Sequence, residues 1–240
     1  MTRRAKIAFI VVASVLAIGA TAAFAGPVIY RDFIAPPAAD IPELTIDDSA
    51  LDPESGGGSA EEPDADGFSG TWAVEDGSEA GYRVDEVLNG TDVTVTGRTS
   101  QLSGTVTIDG LAVTAASIEV DVASIATDNG SRDDYFTTQA MRTGEHPTAT
   151  FELTEPAAVD SAPAAGDVIE LDLEGELTLA GVTQSVTFPV QLQADGDTAQ
   201  VVGRIAITFA DYGVEAPSLG FVKVEPEGYV EFDLSLARQG

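Results

Sequence analysis

The chain has 240 residues, no cysteine and one histidine, which excludes disulfides and thiolate metal centres and leaves imidazole-based sites short of ligands. Its 40 acidic residues against 11 Lys and Arg give a formal net charge of −29, a field that repels nucleic acid and excludes it as a partner.

The basic start MTRRAK is followed by IAFIVVASVLAIGATAAFA (residues 7–25), a run of 19 uncharged, mostly apolar residues. That length predicts a membrane-spanning helix, with Arg3, Arg4 and Lys6 holding the N-terminus inside and the rest of the chain extracytoplasmic. Ala23-Phe24-Ala25 offers the alternative of a cleaved secretory signal and a secreted product. Residues 1–30 are therefore expected to form the anchor or signal segment. Residues 31–70, rich in Pro, Gly, Ser and acids, read as a linker. Residues 71–240 read as one folded domain.

From Thr71 onward apolar residues alternate with polar ones. The stretches TWAVE, AGYRVDEV, DVTVTG, GTVTID, AVTAASIEVDVAS and TATFELT are candidate strands. In VIELDLEGELTLAG (168–181), Ile169, Leu171, Leu173, Leu177 and Leu179 share one face and Glu170, Asp172, Glu174 and Glu176 the other. Val186, Phe188, Val190 and Leu192 repeat the pattern, as do Ile205, Ile207 and Phe209, then Val230, Phe232, Leu234 and Leu236. Asn89-Gly90, Asp109-Gly110, Ala180-Gly181 and Asp195-Gly196 supply the turns. The spacing predicts an all-β fold of about eight to ten antiparallel strands, an up-and-down barrel in preference to a two-sheet sandwich. Polar outer faces argue against a lipid-embedded barrel.

One stretch breaks the rhythm. In SRDDYFTTQAMRTGEHPTATFEL (131–153), Ser131 is the expected N-cap, and Asp133 and Asp134 favour the first turn of a short helix. Tyr135, Phe136, Ala140 and Met141 would face inward, and Gly144 and Pro147 would end the helix before the next strand. His146 lies in this stretch without the second and third groups a catalytic base needs. No phosphate-binding glycine loop, nucleophile elbow or complete calcium loop is present. The reading is a non-enzyme without catalytic residues, metal ligands or cofactor. Periodicity alone leaves open whether the barrel interior is packed or holds an apolar ligand.

Several segments together resemble the YceI-like family of bacterial periplasmic or secreted proteins. Thr71–Val74 is similar to its opening W-x-[IV] strand, and residues 124–129 (SIATDN) to its S-I-x-T-x-N segment, followed by Arg132-Asp133. Residues 146–151 (HPTATF) resemble an aromatic-P-T-x-x-F segment, with His146 in place of the aromatic. Residues 175–183 (GELTLAGVT) match a G-x-L-T-[LI]-x-G-V-T hairpin, and 211–214 (DYGV) a D-[FY]-G-[IV] element. An early F-x-V-x-H strand finds no histidine here. The resemblance implies a lipocalin-like barrel with a long apolar cavity, binding without catalysis, and a ligand such as a polyisoprenoid or isoprenoid quinone. It also implies that residues 131–147 cover or shape the barrel.

Under that reading the inward residues Phe151, Leu153, Ile169, Leu171 and Leu173 would line the tunnel. Leu177, Phe188, Ile207, Phe209 and Phe232 would continue the lining. Tyr135, Phe136, Met141 and Tyr212 would guard its mouth, and Arg132 and Arg142 could meet a headgroup, though a carboxylate partner is the simpler fate of Arg132. The alternative reading is a ligand-free, membrane-tethered structural or adhesion domain. Neither reading fixes the oligomeric state.

Overall fold

The computed structural model describes residues 38–44, 67–161, 163, 167–218, 220 and 222–240. The turn signals act where they were expected. Asn89 and Gly90 take positive φ of 49° and 81°, and Ala180 and Gly181 take 49° and 81°, the left-handed pair that a two-residue hairpin requires. Eleven strand segments result: β1 (Gly70–Val74), β2 (Glu79–Leu88), β3 (Thr91–Thr99), β4 (Leu102–Asp109), β5 (Ala112–Asp121) and β6 (Thr148–Glu155) come first. A two-residue β7 (Ala157–Ala158) follows, then β8 (Val168–Leu179), β9 (Val182–Asp195), β10 (Thr198–Thr208) and β11 (Val222–Arg238).

These segments make eight staves of an antiparallel barrel. β1 and β2 pair successively with the long β11, Trp72 opposite Arg238 and Glu79 opposite Asp233, so they are two halves of one bent strand. At the bend the Ser78 hydroxyl donates to the Glu75 and Ser235 carbonyls and accepts from the Ser235 amide, replacing the interrupted ladder. β3 and β4 form the matching bent stave, paired with β2 and β1 in turn. β5, β6, β8, β9, β10 and β11 follow in order, and β1 closes the circle by bonding both β4 and β11. β7 is a short side strand on β5.

Between β5 and β6 the chain leaves the wall. A 3-10 turn (Val122–Ser124) leads to the short helix α1 (Gly130–Tyr135), which passes into a π-helical turn over Phe136–Ala140. The cap is Asn129 rather than the expected Ser131. Its side chain accepts from the amides of Ser131 and Arg132, while Asp133 turns back to accept from the amide and hydroxyl of Thr127. The π turn closes with the Met141 amide on the Phe136 carbonyl at 2.9 Å. The Val122 amide donates to the Pro147 carbonyl at 3.0 Å, fastening the base of the excursion.

The expected N-terminal membrane helix is corrected. Among the described residues no helix is long and apolar enough to cross a bilayer; the helical pieces are segments of three to six residues set between strands. The run 7–25 on which that expectation rested lies outside the described residues. The single-pass topology with an inside N-terminus and the membrane as a partner through that helix are corrected with it. Residues 38–44, expected within a linker, lie against the barrel. The Ala39 amide donates to the Thr96 hydroxyl, and its carbonyl accepts from the Arg83 guanidinium at 2.5 Å.

Candidate functional site

The inward faces enclose two connected hollows. The larger, about 980 Å3, lies at the end covered by the 122–147 excursion. The smaller, about 110 Å3, lies deeper and shares Ala80, Val120, Ala149, Leu179 and Val230 with it. The far end is plugged by Trp72, 1% exposed, whose indole nitrogen donates to the Phe68 carbonyl at 3.0 Å. The Arg238 guanidinium sits 5.5 Å from the indole centroid. At roughly 30 Å3 for each small group, the larger hollow has room for about thirty non-hydrogen atoms. It stands at the upper end of the ligand-pocket range.

The covering is built from both sides. Tyr82 on β2 stacks on Phe136 with ring centroids 4.8 Å apart and planes at 21°. Gly97 on β3 makes room for that stack, since a Cβ there would lie 2.5 Å from the Tyr82 ring. Beside it Glu86, 7% exposed, holds one arm of the Arg132 guanidinium at 3.3 Å, and Asp128 holds the other at 2.7 Å. Burial, with help from the nearby carboxylates of Asp133, Glu86 and Asp128, pushes the Tyr82 phenol up to about 12 against the opposing pull of Arg132. Tyr212 closes the third side from the 3-10 turn Phe209–Tyr212. It is 3% exposed, and its hydroxyl is buried without a hydrogen-bond partner. Burial, then Asp211, raises its pKa, so this phenol stays protonated.

The expected lining residues divide between the hollows. Tyr135, Phe136, Met141, Ile207, Phe209, Tyr212 and Arg132 border the larger one. Phe151, Leu171, Leu173, Leu177, Phe188 and Phe232 border the smaller. The Phe188 ring meets Phe151 and Phe232 edge-on at 5.3 and 6.0 Å. Leu153 and Ile169 border neither hollow. Arg142 turns away, donating to the Ala180 carbonyl at 3.2 Å. His146 packs under the β8–β9 hairpin, where a Cβ on Gly181 would lie 2.4 Å from its ring. Among the described residues no group of three or more His, Asp or Glu side chains converges to hold a metal.

The stave β2 carries what sequence reading passed over. Ala80, Tyr82, Val84, Glu86 and Leu88 share its inner face and all border the larger hollow. The alternation was legible in AGYRVDEVL, and it set an acid among apolar neighbours. On the outer face Glu231, fully buried, is gripped by Arg83 at 2.6 Å and by Arg98.

Comparison with known proteins adds a family. A YceI-like domain matches residues 72–236. A UPF0312 protein of Pseudomonas paraeruginosa is 30% identical over 128 residues, covering 50% of this chain and 63% of its own length. Protein YceI of Escherichia coli O157:H7 is 33% identical over 104 residues, 42% of this chain and 50% of its own length. The chain thus spans less than two thirds of the length of these curated relatives. Among solved structures, a polyisoprenoid binding domain from Saccharophagus degradans superposes with a TM-score of 0.56 at 19% identity, over 70% of this chain and 98% of that one. Burkholderia cenocepacia BcnA does so with 0.51 at 24% identity, over 64% and 95%.

Proposed function

The chain belongs to the YceI-like family, and on that footing we propose that its barrel binds a long apolar lipid, a polyisoprenoid or isoprenoid quinone, as a carrier or store and not as an enzyme. The observation that carries this reading is the hollow itself: about 980 Å3 behind an aromatic cover, continuing into a deeper apolar recess walled by Leu171, Leu173, Phe188 and Phe232. Each buried CH2 contributes about 0.8 kcal/mol, so a twenty-carbon chain gains about 16 kcal/mol before association costs of about 4–15 kcal/mol. Burial alone thus suffices to hold such a chain. The fold shared with a protein described as a polyisoprenoid binding domain supports the choice of ligand.

Organic extraction of the purified protein followed by lipid mass spectrometry tests the proposal. One isoprenoid species near one per chain is the expected result. An extract without lipid, together with failure of the stripped protein to take up an isoprenoid alcohol, overturns it in favour of a ligand-free structural domain.

A further inference from the structure

We infer that the mouth of the larger hollow selects a long-chain lipid with an uncharged, oxygen-bearing head and rejects one ending in phosphate or diphosphate, with Glu86 setting the choice. This rests on the lipid-binding reading and names the substrate class of that site.

Four acids stand at the mouth: Glu86 and Glu215 border the hollow, Asp128 sits on the outer arm of Arg132, and Asp133 lies near enough to act on the Tyr82 phenol. Arg132 is the one cation whose side chain is bonded at the mouth, and both its arms already hold carboxylates. The other nearby cations point elsewhere. Arg83 borders the hollow along its strand, but its guanidinium is on Glu231 and the Ala39 carbonyl. Arg98 is on the same Glu231, and Arg204 lies over the outer Tyr229 ring. Lys223 pairs with Glu225, and Arg142 holds the Ala180 carbonyl. Among the described residues four carboxylates thus stand at the opening, and both arginines that border it, Arg132 and Arg83, are already held by carboxylates.

An anionic head would have to take Arg132 from Glu86 or Asp128. A partly buried carboxylate would then face a dianion in a poorly solvated site. A neutral head meets no such conflict. Asn89, Asn129 and Ser131 border the mouth as uncharged hydrogen-bonding groups, and the Tyr82 and Tyr212 phenols stay neutral.

The test compares geranylgeraniol with its diphosphate by displacement of an environment-sensitive fluorophore from the lipid-stripped full chain. The alcohol is expected to bind at least about tenfold more tightly, a difference of 1.4 kcal/mol. Added salt should strengthen binding of the diphosphate alone, because it screens repulsion. Glu86→Gln should narrow the ratio several-fold. Glu215→Gln, at an exposed position that folding tolerates, should narrow it in the same direction. Glu170→Gln on the outer wall should leave it unchanged. Equal or tighter binding of the diphosphate by the unsubstituted protein, or a ratio that neither mouth substitution moves, overturns the inference. Binding of neither probe overturns the lipid-binding reading itself, and this inference with it.

Discussion

Tyr212→Phe separates what the barrel needs for folding from what it needs for its ligand. The residue is 3% exposed, and its hydroxyl has no hydrogen-bond partner. A buried hydroxyl left unsatisfied costs about 1–3 kcal/mol, whereas the small gap left by removing one oxygen costs up to about 1 kcal/mol. The balance favours the variant by about 1 kcal/mol. For a domain of this size that raises Tm by about 2–4 °C, measurable by calorimetry on lipid-stripped protein. Affinity for geranylgeraniol should change by less than about twofold, because the buried hydroxyl presents no surface to the hollow. The pH profile carries a second sign. The folded pKa of Tyr212 is raised, so below the unfolded value near 10 its contribution is fully present. As pH rises past 10 the unfolded phenol ionises first and stability is lost. The variant should lack this loss. A variant less stable by 1 kcal/mol or more, with alkaline behaviour unchanged, refutes the reasoning, because the hydroxyl is then satisfied in the unliganded protein.

Tyr82 follows the same sign over a defined window. With its folded pKa at about 12, stability should fall between pH 10 and 12 by about 2 kcal/mol, and phenolate absorbance should show Tyr82 and Tyr212 ionising late; ionisation near 10 for all five tyrosines contradicts the packing. Glu231→Ala leaves Arg83 and Arg98 facing each other on the outer wall and should cost about 3 kcal/mol by urea denaturation. A cost under 1 kcal/mol would mean that solvent screens the pair. Ala149→Phe places a ring where the two hollows join, so affinity for lipids of about forty carbons should drop at least about tenfold more than for fifteen-carbon chains. Equal losses would show that ligands never reach the deeper recess.

The period-two pattern carried most of the fold because each stave has one wet face, and a one-residue slip would bury Glu170, Asp172 and Glu174. It could not show that β1 with β2, and β3 with β4, are single bent strands, since their bends depend on cross-strand bonds such as those of Ser78. The helix cap is Asn129 rather than Ser131 because the Asn129 side chain accepts from the Ser131 and Arg132 amides, while Asp133 is held by Thr127 from before the helix. At the site, inward apolar residues were legible by alternation. Which of them touch the large hollow was not, because that depends on height along the barrel. Leu153 and Ile169 alternate correctly and border neither hollow. Arg142 was scarce in charge but took positive φ, which turned its side chain to the β8–β9 hairpin.

Height along the barrel also explains why most of the hollow in this eight-stave barrel lies toward one end. Toward the plug the inward positions are large: Trp72, Leu171, Leu173, Phe188, Phe232 and Leu236, and they leave a recess of about 110 Å3. Toward the excursion the wall carries the small residues Val84, Val95 and Gly97, and Ala80, Val120 and Ala149 stand where the hollows join. The volume they leave is then covered by Tyr82, Phe136, Met141 and Tyr212, three of which come from turns rather than staves. Such a gradient in side-chain size costs packing energy that a closed core would have kept. A bound chain restores those contacts at the same place. Filling the wide end, for example with Val84→Phe and Val95→Leu together, should therefore raise the Tm of the lipid-free protein while abolishing uptake. A double variant that melts lower and still binds would mean that the hollow is not what limits packing.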